Sequence, residues 1–125
     1  MRQILAAALL VLAAESPAAA LPTEATVQMS NFHFAPASLV LQANAPVILH
    51  LRNLGAGGHS FDAPAFFAAA RLDPASAALV RDGKVEVPGH ATVNLSLTPA
   101  AGRYPLKCSH TLHSTFGMKG TITVN

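Results

Sequence analysis

The clearest chemical signal in the sequence is a group of sulfur and imidazole side chains near its end. Cys108, His113 and Met118 fall within eleven residues, between two segments that alternate as strands do. Thiolate, thioether and imidazole donors select copper over magnesium, calcium or manganese. Two His and one Cys in a plane, with a weak axial Met, form the blue-copper electron-transfer site. The spacing predicts such a site on this loop, and Gly117 lets the chain bend back just before Met118.

The fourth donor has to come from another part of the chain, and His59 fits. It follows an alternating segment that ends at Asn53 and a flexible, glycine-rich turn at residues 55–58. Loops that carry function gather at the ends of a sandwich. The loop of residues 108–118, called the cysteine loop below, would also lie there. We therefore predict a metal site made of the two histidines, the cysteine and the methionine named above.

The remaining histidines are weaker candidates. His110 competes with His113, because a residue two positions after the cysteine on an extended segment shares its face. The residues alone leave both histidines open; the family resemblance given below, which the spacing from His113 to Met118 matches better, implies that His110 lies at the rim of the site. His33, His50 and His90 are typical of surface histidines. Together these spare side chains leave open a second, weaker copper site at His110, His33 or His90.

The elements that must position these residues are short strands separated by Pro, Gly and Asn. Alternation places Val47, Leu49 and Leu51 on one face. It places Val93, Leu95 and Leu97 on one face likewise further on. The predicted strands cover residues 26–29, 39–41, 47–52, 84–87, 91–98, 103–108 and 120–124. About seven strands in so short a chain predict an all-β sandwich or barrel. Residues 64–80 are rich in Ala and predict a helix or long loop.

The first twenty residues predict a secretory signal. Arg2 gives the positive start, a short apolar run follows, and the segment ends in the small residues 18–20. The apolar run is too short for a membrane-spanning helix, although an uncleaved signal would act as a tether. We predict a signal peptide at residues 1–20, one domain at residues 21–125 and a periplasmic location.

Cys108 is the only cysteine of the chain. Exported proteins normally pair their cysteines, and this one has no internal partner. Its thiol is therefore an inert buried group, half of an intermolecular disulfide or a metal ligand. The neighbouring His and Met side chains favour the metal ligand.

The composition excludes several classes of protein. The formal net charge is only +2, and the basic residues form no run, so we expect no nucleic-acid binding. Half of the residues are hydrophobic, which is untypical of a disordered chain. The weakly charged surface is compatible with docking to another protein.

The chain resembles the cupredoxins, the small copper proteins that include plastocyanin, pseudoazurin, amicyanin and rusticyanin. The resemblance covers nearly all of residues 21–125. It rests on residues 31–36, 45–47, 53–61, 102–104 and 117–122. It implies a Greek-key β-sandwich of seven to eight strands around one type 1 copper ion. It also implies that His59, Cys108 and His113 are equatorial ligands and that Met118 is the axial one.

The chain departs from this family at two places. Many members carry Pro-Gly before the loop histidine, where this chain has Thr111 and Leu112, so the turn is less specified. Many carry Asn after the first histidine, where this chain has Ser60. We expect Ser60 and Ser109 to join the two ligand loops less extensively or through water, which would alter the hydrogen bonding of the thiolate.

The expected function is one-electron transfer by a monomer that docks transiently to redox partner proteins and does not insert into a membrane. Copper tolerance or delivery uses the same ligands and remains the alternative. A metal-free immunoglobulin-like interaction module is a third, weaker interpretation. We expect no enzymatic activity, because multicopper oxidases and copper nitrite reductases need copper centres on further domains, and a binuclear copper site needs two cysteines.

Overall fold

The computed structural model describes Val11 and residues 21–125 of the chain. The predicted signal, residues 1–20, otherwise lies outside the described residues. The described part forms two five-stranded sheets, ordered β2-β1-β4-β8-β6 and β3-β10-β9-β5-β7. The strands are β1 (Thr23–Ser30), β2 (His33–Ala35), β3 (Ser38–Leu41), β4 (Val47–Asn53), β5 (His59–Asp62), β6 (Arg71–Leu72), β7 (Lys84–Val87), β8 (Thr92–Thr98), β9 (Gly102–Lys107) and β10 (Lys119–Val124).

Alternating apolar residues hold the two sheets together. In β4, Val47, Leu49 and Leu51 are buried, and Leu95 and Leu97 are buried in the neighbouring strand β8. Successive side chains of a strand point to opposite faces, so each strand contributes every second residue to the core. The predicted all-β sandwich is confirmed, and each of the seven predicted strands overlaps an observed one.

Three further strands raise the number in the described residues above the expected seven to eight. β2 and β6 contain only three and two residues, too few for an alternating pattern to be visible, and the four residues of β5 do not alternate, because the first three are all buried. Residues 64–80 form two short helices, α1 (Pro64–Ala69) and α2 (Pro74–Ala77), with β6 between them. Each helix begins at a proline, whose missing N–H costs nothing in the first turn. Neither helix is long and apolar enough to cross a membrane.

The pairing of β9 with β10 determines where the cysteine loop begins and ends. Lys107, the last residue of β9, is directly opposite Lys119, the first residue of β10. Cys108 therefore directly follows this pair in the chain, and Met118 directly precedes it. The N–H of Cys108 donates to the carbonyl of Met118 over 3.1 Å. On the other side of β9, strand β5 is paired through Asp62 and Lys107. The sheet therefore brings the start of β5 and both ends of the cysteine loop to one end of the sandwich.

His50 lies on the outer face of the other sheet, far from this loop in the strand order. Its Nδ1 lies 2.6 Å from Asn94 Oδ1, and its Nε2 lies 3.0 Å from Glu24 Oε1. Both partners can act as acceptors, and only the protonated ring donates from both nitrogens. The bonds to Asn94 and Glu24 accordingly raise the pKa of His50 above its ordinary value of 6.5.

This network predicts a pH-dependent contribution to stability. Because the folded-state pKa is raised, the contribution of His50 is fully present below the unfolded pKa of about 6.5 and is lost as the pH rises through the higher folded value. Urea unfolding of wild type and His50→Gln at several pH values will show their stability difference shrinking toward alkaline pH. Asn94→Ala is the control and will reduce this dependence. A difference that stays constant with pH would contradict the assignment.

Candidate metal centre

Three of the four predicted donors meet at the end of the sandwich. Nδ1 of His59 and Nδ1 of His113 lie 3.2 Å apart. Sγ of Cys108 lies 3.4 Å from Nδ1 of His113 and 3.9 Å from Nδ1 of His59. Within the described residues, these three form the only group of three His, Cys, Asp or Glu side chains close enough to share a metal ion. The residues come from β5 and from the loop after β9.

The three spacings fit a shared first-row metal ion. Bonds of about 2.0 Å to nitrogen and about 2.3 Å to sulfur separate neighbouring donors in a plane by roughly 3.5–3.8 Å. The observed values scatter closely around that range. A thiol and two imidazoles are also the soft and borderline donors that copper prefers. Distance and chemistry therefore agree on one copper ion.

His59 is the most enclosed of these donors. It is the first residue of β5, where sequence reasoning had placed a loop, and it is fully buried. Burial lowers the pKa of His59, and the nearby His113 and His110 lower it further. The ring is thus kept neutral, as a metal-binding imidazole must be. Its Nε2 is the only buried side-chain nitrogen or oxygen in the described part of the chain that has no hydrogen-bond partner. The ring faces Cys108 and His113 through its other nitrogen, Nδ1, so this unpaired Nε2 is not the atom directed at the site.

Asn53 holds the turn that leads into His59, a role that the sequence analysis missed. Its buried amide Nδ2 donates to the carbonyls of Gly57 and Val87 over 2.9 and 3.0 Å. Its Oδ1 accepts the N–H of Gly55 over 2.9 Å. The side chain therefore satisfies three backbone groups and fixes the turn beside the His59 ring. An Asn that ends a buried strand before a glycine-rich turn is the signal that would have indicated it.

Ser60 joins the two ligand segments directly, which corrects the expectation of sparse or water-mediated bonding. Its Oγ accepts the N–H of Ser109 over 2.8 Å and lies 2.8 Å from the Ser109 hydroxyl. Its backbone N–H donates to Sγ of Cys108 over 3.3 Å. Ser60 therefore both closes the site and donates a hydrogen bond to the sulfur.

The loop between Cys108 and Met118 is a tight, locally hydrogen-bonded turn. The N–H of His113 donates to the carbonyl of His110, and the N–H of Met118 donates to the carbonyl of His113. Gly117 has φ +96°, the left-handed region that favours glycine, as its predicted bending role requires. Leu112 also has a positive φ of 67°, although it carries a Cβ. The chain thus adopts a glycine-type turn where many cupredoxins have Pro-Gly, at a conformational cost.

Met118 is fully buried at the end of this loop. Its main-chain N–H and C=O are bonded to His113 and Cys108, so its backbone is attached to two of the converging residues. This places the fourth predicted residue at the same end of the sandwich.

His110 lies at the rim, as expected. Its Nε2 is 2.7 Å from Glu86 Oε2, and its ring stacks on that of His113 with centroids 5.4 Å apart. His33 instead lies 3.0 Å from the Ser30 hydroxyl, and His90 is exposed. Among the described residues, none of these histidines belongs to a second group of three donors.

An aromatic cluster surrounds the outer edge of His113. The ring centroid of Phe32 lies 5.1 Å from that of His113 and 5.1 Å from that of Phe116. Phe116 and Leu112 are 61% and 58% exposed. Phe116 and Leu112 belong to the loop that carries His113, whereas Phe32 comes from the distant segment between β1 and β2. The half-exposed His113 ring therefore lies within an apolar surface.

Comparison with known families decides the classification. The model of the cupredoxin-like domain matches residues 3–124. The chain belongs to this family. The family and the donor set agree on a type 1 copper ion as the cofactor of this cupredoxin-like chain. A search of curated proteins found no significant match.

Solved structures share the same fold. Auracyanin B is 24% identical, with a TM-score of 0.58, over 90% of this chain and 93% of that chain. Auracyanin A, described as a blue copper protein from Chloroflexus aurantiacus, is 19% identical, with a TM-score of 0.59, over 83% and 99%. A multicopper oxidase from Aquifex aeolicus is 15% identical, with a TM-score of 0.58, over 83% of this chain but 29% of its own. At these identities the likeness establishes the fold alone.

The bonds of Ser60 predict a paired effect on stability and colour. Ser60→Ala leaves the N–H of Ser109 without its acceptor, which should lower the free energy of unfolding by about 1–2 kcal/mol. It should also shift the visible band of the copper-loaded protein. Ser76→Ala is the matched control, because Ser76 Oγ accepts the N–H of Ser96 over 2.8 Å away from the site. The control should lose similar stability with an unchanged spectrum, and an identical spectrum in both variants would refute the role of Ser60.

The positive φ of Leu112 predicts a stabilising substitution. Leu112→Gly removes the Cβ that disfavours this conformation, whereas Leu112→Ala removes the side chain and keeps the Cβ. We expect the free energy of unfolding of the Gly variant to be about 0.5–1 kcal/mol higher than that of the Ala variant. This difference already includes the greater entropy of Gly in the unfolded chain. Chemical denaturation of both variants measures the difference. A more stable Ala variant would show that the turn does not hold this conformation in solution.

Proposed function

We propose that this protein is an electron carrier whose single copper ion would be held by His59, Cys108, His113 and Met118. The observation that carries the proposal is the convergence of one sulfur and two imidazole nitrogens within 3.9 Å of one another. Copper bound there supplies one-electron exchange between Cu(I) and Cu(II).

The donors are attached to structure that resists rearrangement. His59 begins a strand, Cys108 directly follows one, and the Ser60 N–H holds the cysteine sulfur in place. Donors fixed in this way change position little between the two oxidation states, so little reorganisation opposes electron transfer. Met118 is excluded from water by burial, which favours a soft, weakly bound ligand over a water molecule.

The exposed edge of His113 is the proposed route for electrons. It is the only partly exposed residue of the three converging donors in the described structure. Phe116 and Leu112 beside it offer an apolar surface that a partner protein can cover without desolvating charges. Contact there would bring the partner to the ring that touches the metal.

The cellular role follows from the same features. We place the protein in the periplasm on the basis of its predicted signal, acting as a monomer on transient redox partners rather than as an enzyme. The copper-handling alternative would use further copper ions. The described residues offer one cluster of three donors, and this favours the carrier with a single copper ion.

Substitution of the two loop histidines tests the ligand set. His113→Ala should abolish the intense band expected near ~600 nm and slow electron exchange by orders of magnitude, because it removes a donor and the exit route together. His110→Ala is the matched control and should keep the band, because its ring lies against Glu86 at the rim. Copper titration followed by visible spectroscopy and stopped-flow oxidation measures both effects. Retention of band and rate in His113→Ala, or their loss only in His110→Ala, would overturn the proposal.

A further inference from the structure

The three lysines of the chain, Lys84, Lys107 and Lys119, lie in one row across a single sheet. Lys119 in β10 is directly opposite Lys107 in β9. Lys107 is opposite Asp62 in β5, which in turn is opposite Lys84 in β7. Directly opposed residues of neighbouring strands share a face, so the four side chains form one line on the outer side of the sheet.

The charge of this row is only partly compensated. Lys107 and Lys119 are exposed, and in the described structure neither has a carboxylate within 4.0 Å, Asp62 included. The other nearby carboxylate, that of Glu86, is bonded to His110. Lys84 is half-buried and donates from Nζ to the hydroxyl of Ser109 over 3.4 Å. The three cations of the row therefore outnumber the two carboxylates beside it, those of Asp62 and Glu86.

Folding accounts for only part of this arrangement, because Asp62 is favourably opposed to Lys84 and Lys107, but Lys119 has only another lysine opposite it. Like charges directly opposite each other on a sheet are destabilising, and Lys107 faces Lys119 in that way. The two residues also flank the cysteine loop, since one precedes Cys108 and the other follows Met118. A feature that costs stability and adjoins the metal centre is better explained by binding.

The size and shape of the row indicate what it binds. Four adjacent strands about 4.8 Å apart give a row roughly 14 Å long, which is the scale of a patch on a protein rather than of one small anion. Beside it runs an open groove lined by Pro64 and Pro105, between Asp62 and the two exposed lysines. Cations beside a small apolar groove fit the acidic rim and apolar centre of a protein interface.

We propose that this lysine row, defined as Lys84, Lys107 and Lys119, docks an acidic surface of the redox partner protein. The proposal rests on the proposed function and adds the charge of the partner to it. The row attracts the acidic surface and aligns it along one side of the cysteine loop, while the apolar surface around His113 makes the close contact. Complementary charge of this kind acts mainly on the rate of encounter and weakens with added salt.

The first test needs no copper. Backbone amide shifts of the ¹⁵N-labelled, copper-free protein are followed by NMR during titration with a deca-glutamate peptide at low ionic strength. Shifts should concentrate on β9, β10 and β7 and should weaken at least fivefold in the double variant Lys107→Glu, Lys119→Glu. The matched control, Arg52→Glu with Arg71→Glu, changes the net charge equally on the opposite sheet and should leave them in place. Lys107→Gln with Lys119→Gln serves if the charge reversal prevents folding.

The second test measures electron transfer from the copper-loaded, reduced protein to ferricyanide, a trianion, and to tris(phenanthroline)cobalt(III), a trication. The lysine variant should lower the ferricyanide rate constant about tenfold relative to the arginine control and should raise the cobalt rate. Peptide shifts that ignore the row, or equal rates in the two double variants, would overturn the docking proposal. A protein without the visible copper band would instead overturn the proposed function, and the peptide mapping would still report on the row.

Discussion

The structure depends on keeping one sulfur and two imidazole nitrogens close together at one end of a β-sandwich. Nδ1 of His59 and Nδ1 of His113 approach to 3.2 Å, and the sulfur of Cys108 completes the triangle. Without a shared partner, three such groups satisfy each other poorly, and burial makes each unmet hydrogen bond costly. The packing of the core has to offset this cost of burying the donors. A bound metal ion would stabilise the folded protein, because it would bind all three of them.

The sandwich meets this requirement by placing the donors where strands begin and end. Buried residues of β4 and β8 on one sheet pack against those of β5, β9 and β10 on the other, and they form a continuous core. The donors lie at the rim of that core. Hydrogen bonds of Asn53 hold the turn before His59, and hydrogen bonds of Ser60 connect β5 to the cysteine loop. The same placement explains why the site is asymmetric. His59 is enclosed by strands, whereas His113 belongs to a loop and reaches the surface among aromatic side chains.

Much of this was predictable because the decisive residues have unusual chemistry or a regular period. A lone cysteine followed by His and Met at short spacing offers the soft donors that favour copper, and the alternation of Leu95 and Leu97 identifies a half-buried strand. The remainder depends on contacts between distant segments. Phe32 contacts His113, which lies far away in the sequence. Ser60 of β5 is hydrogen-bonded to Ser109, which follows the neighbouring strand β9. Strand β5 shows no alternation of buried and exposed residues, because His59 and Ser60 are both buried at the metal site. The left-handed Leu112 is likewise invisible, since its sequence neighbours do not demand it.

X-ray absorption at the copper edge of the loaded protein tests the central claim most directly, because it counts the atoms bound to the metal. We expect one copper per chain with two nitrogen ligands and one short sulfur ligand, the latter lost in Cys108→Ser. A copper ion surrounded by nitrogen and oxygen alone, or a spectrum unchanged by that substitution, would contradict the account.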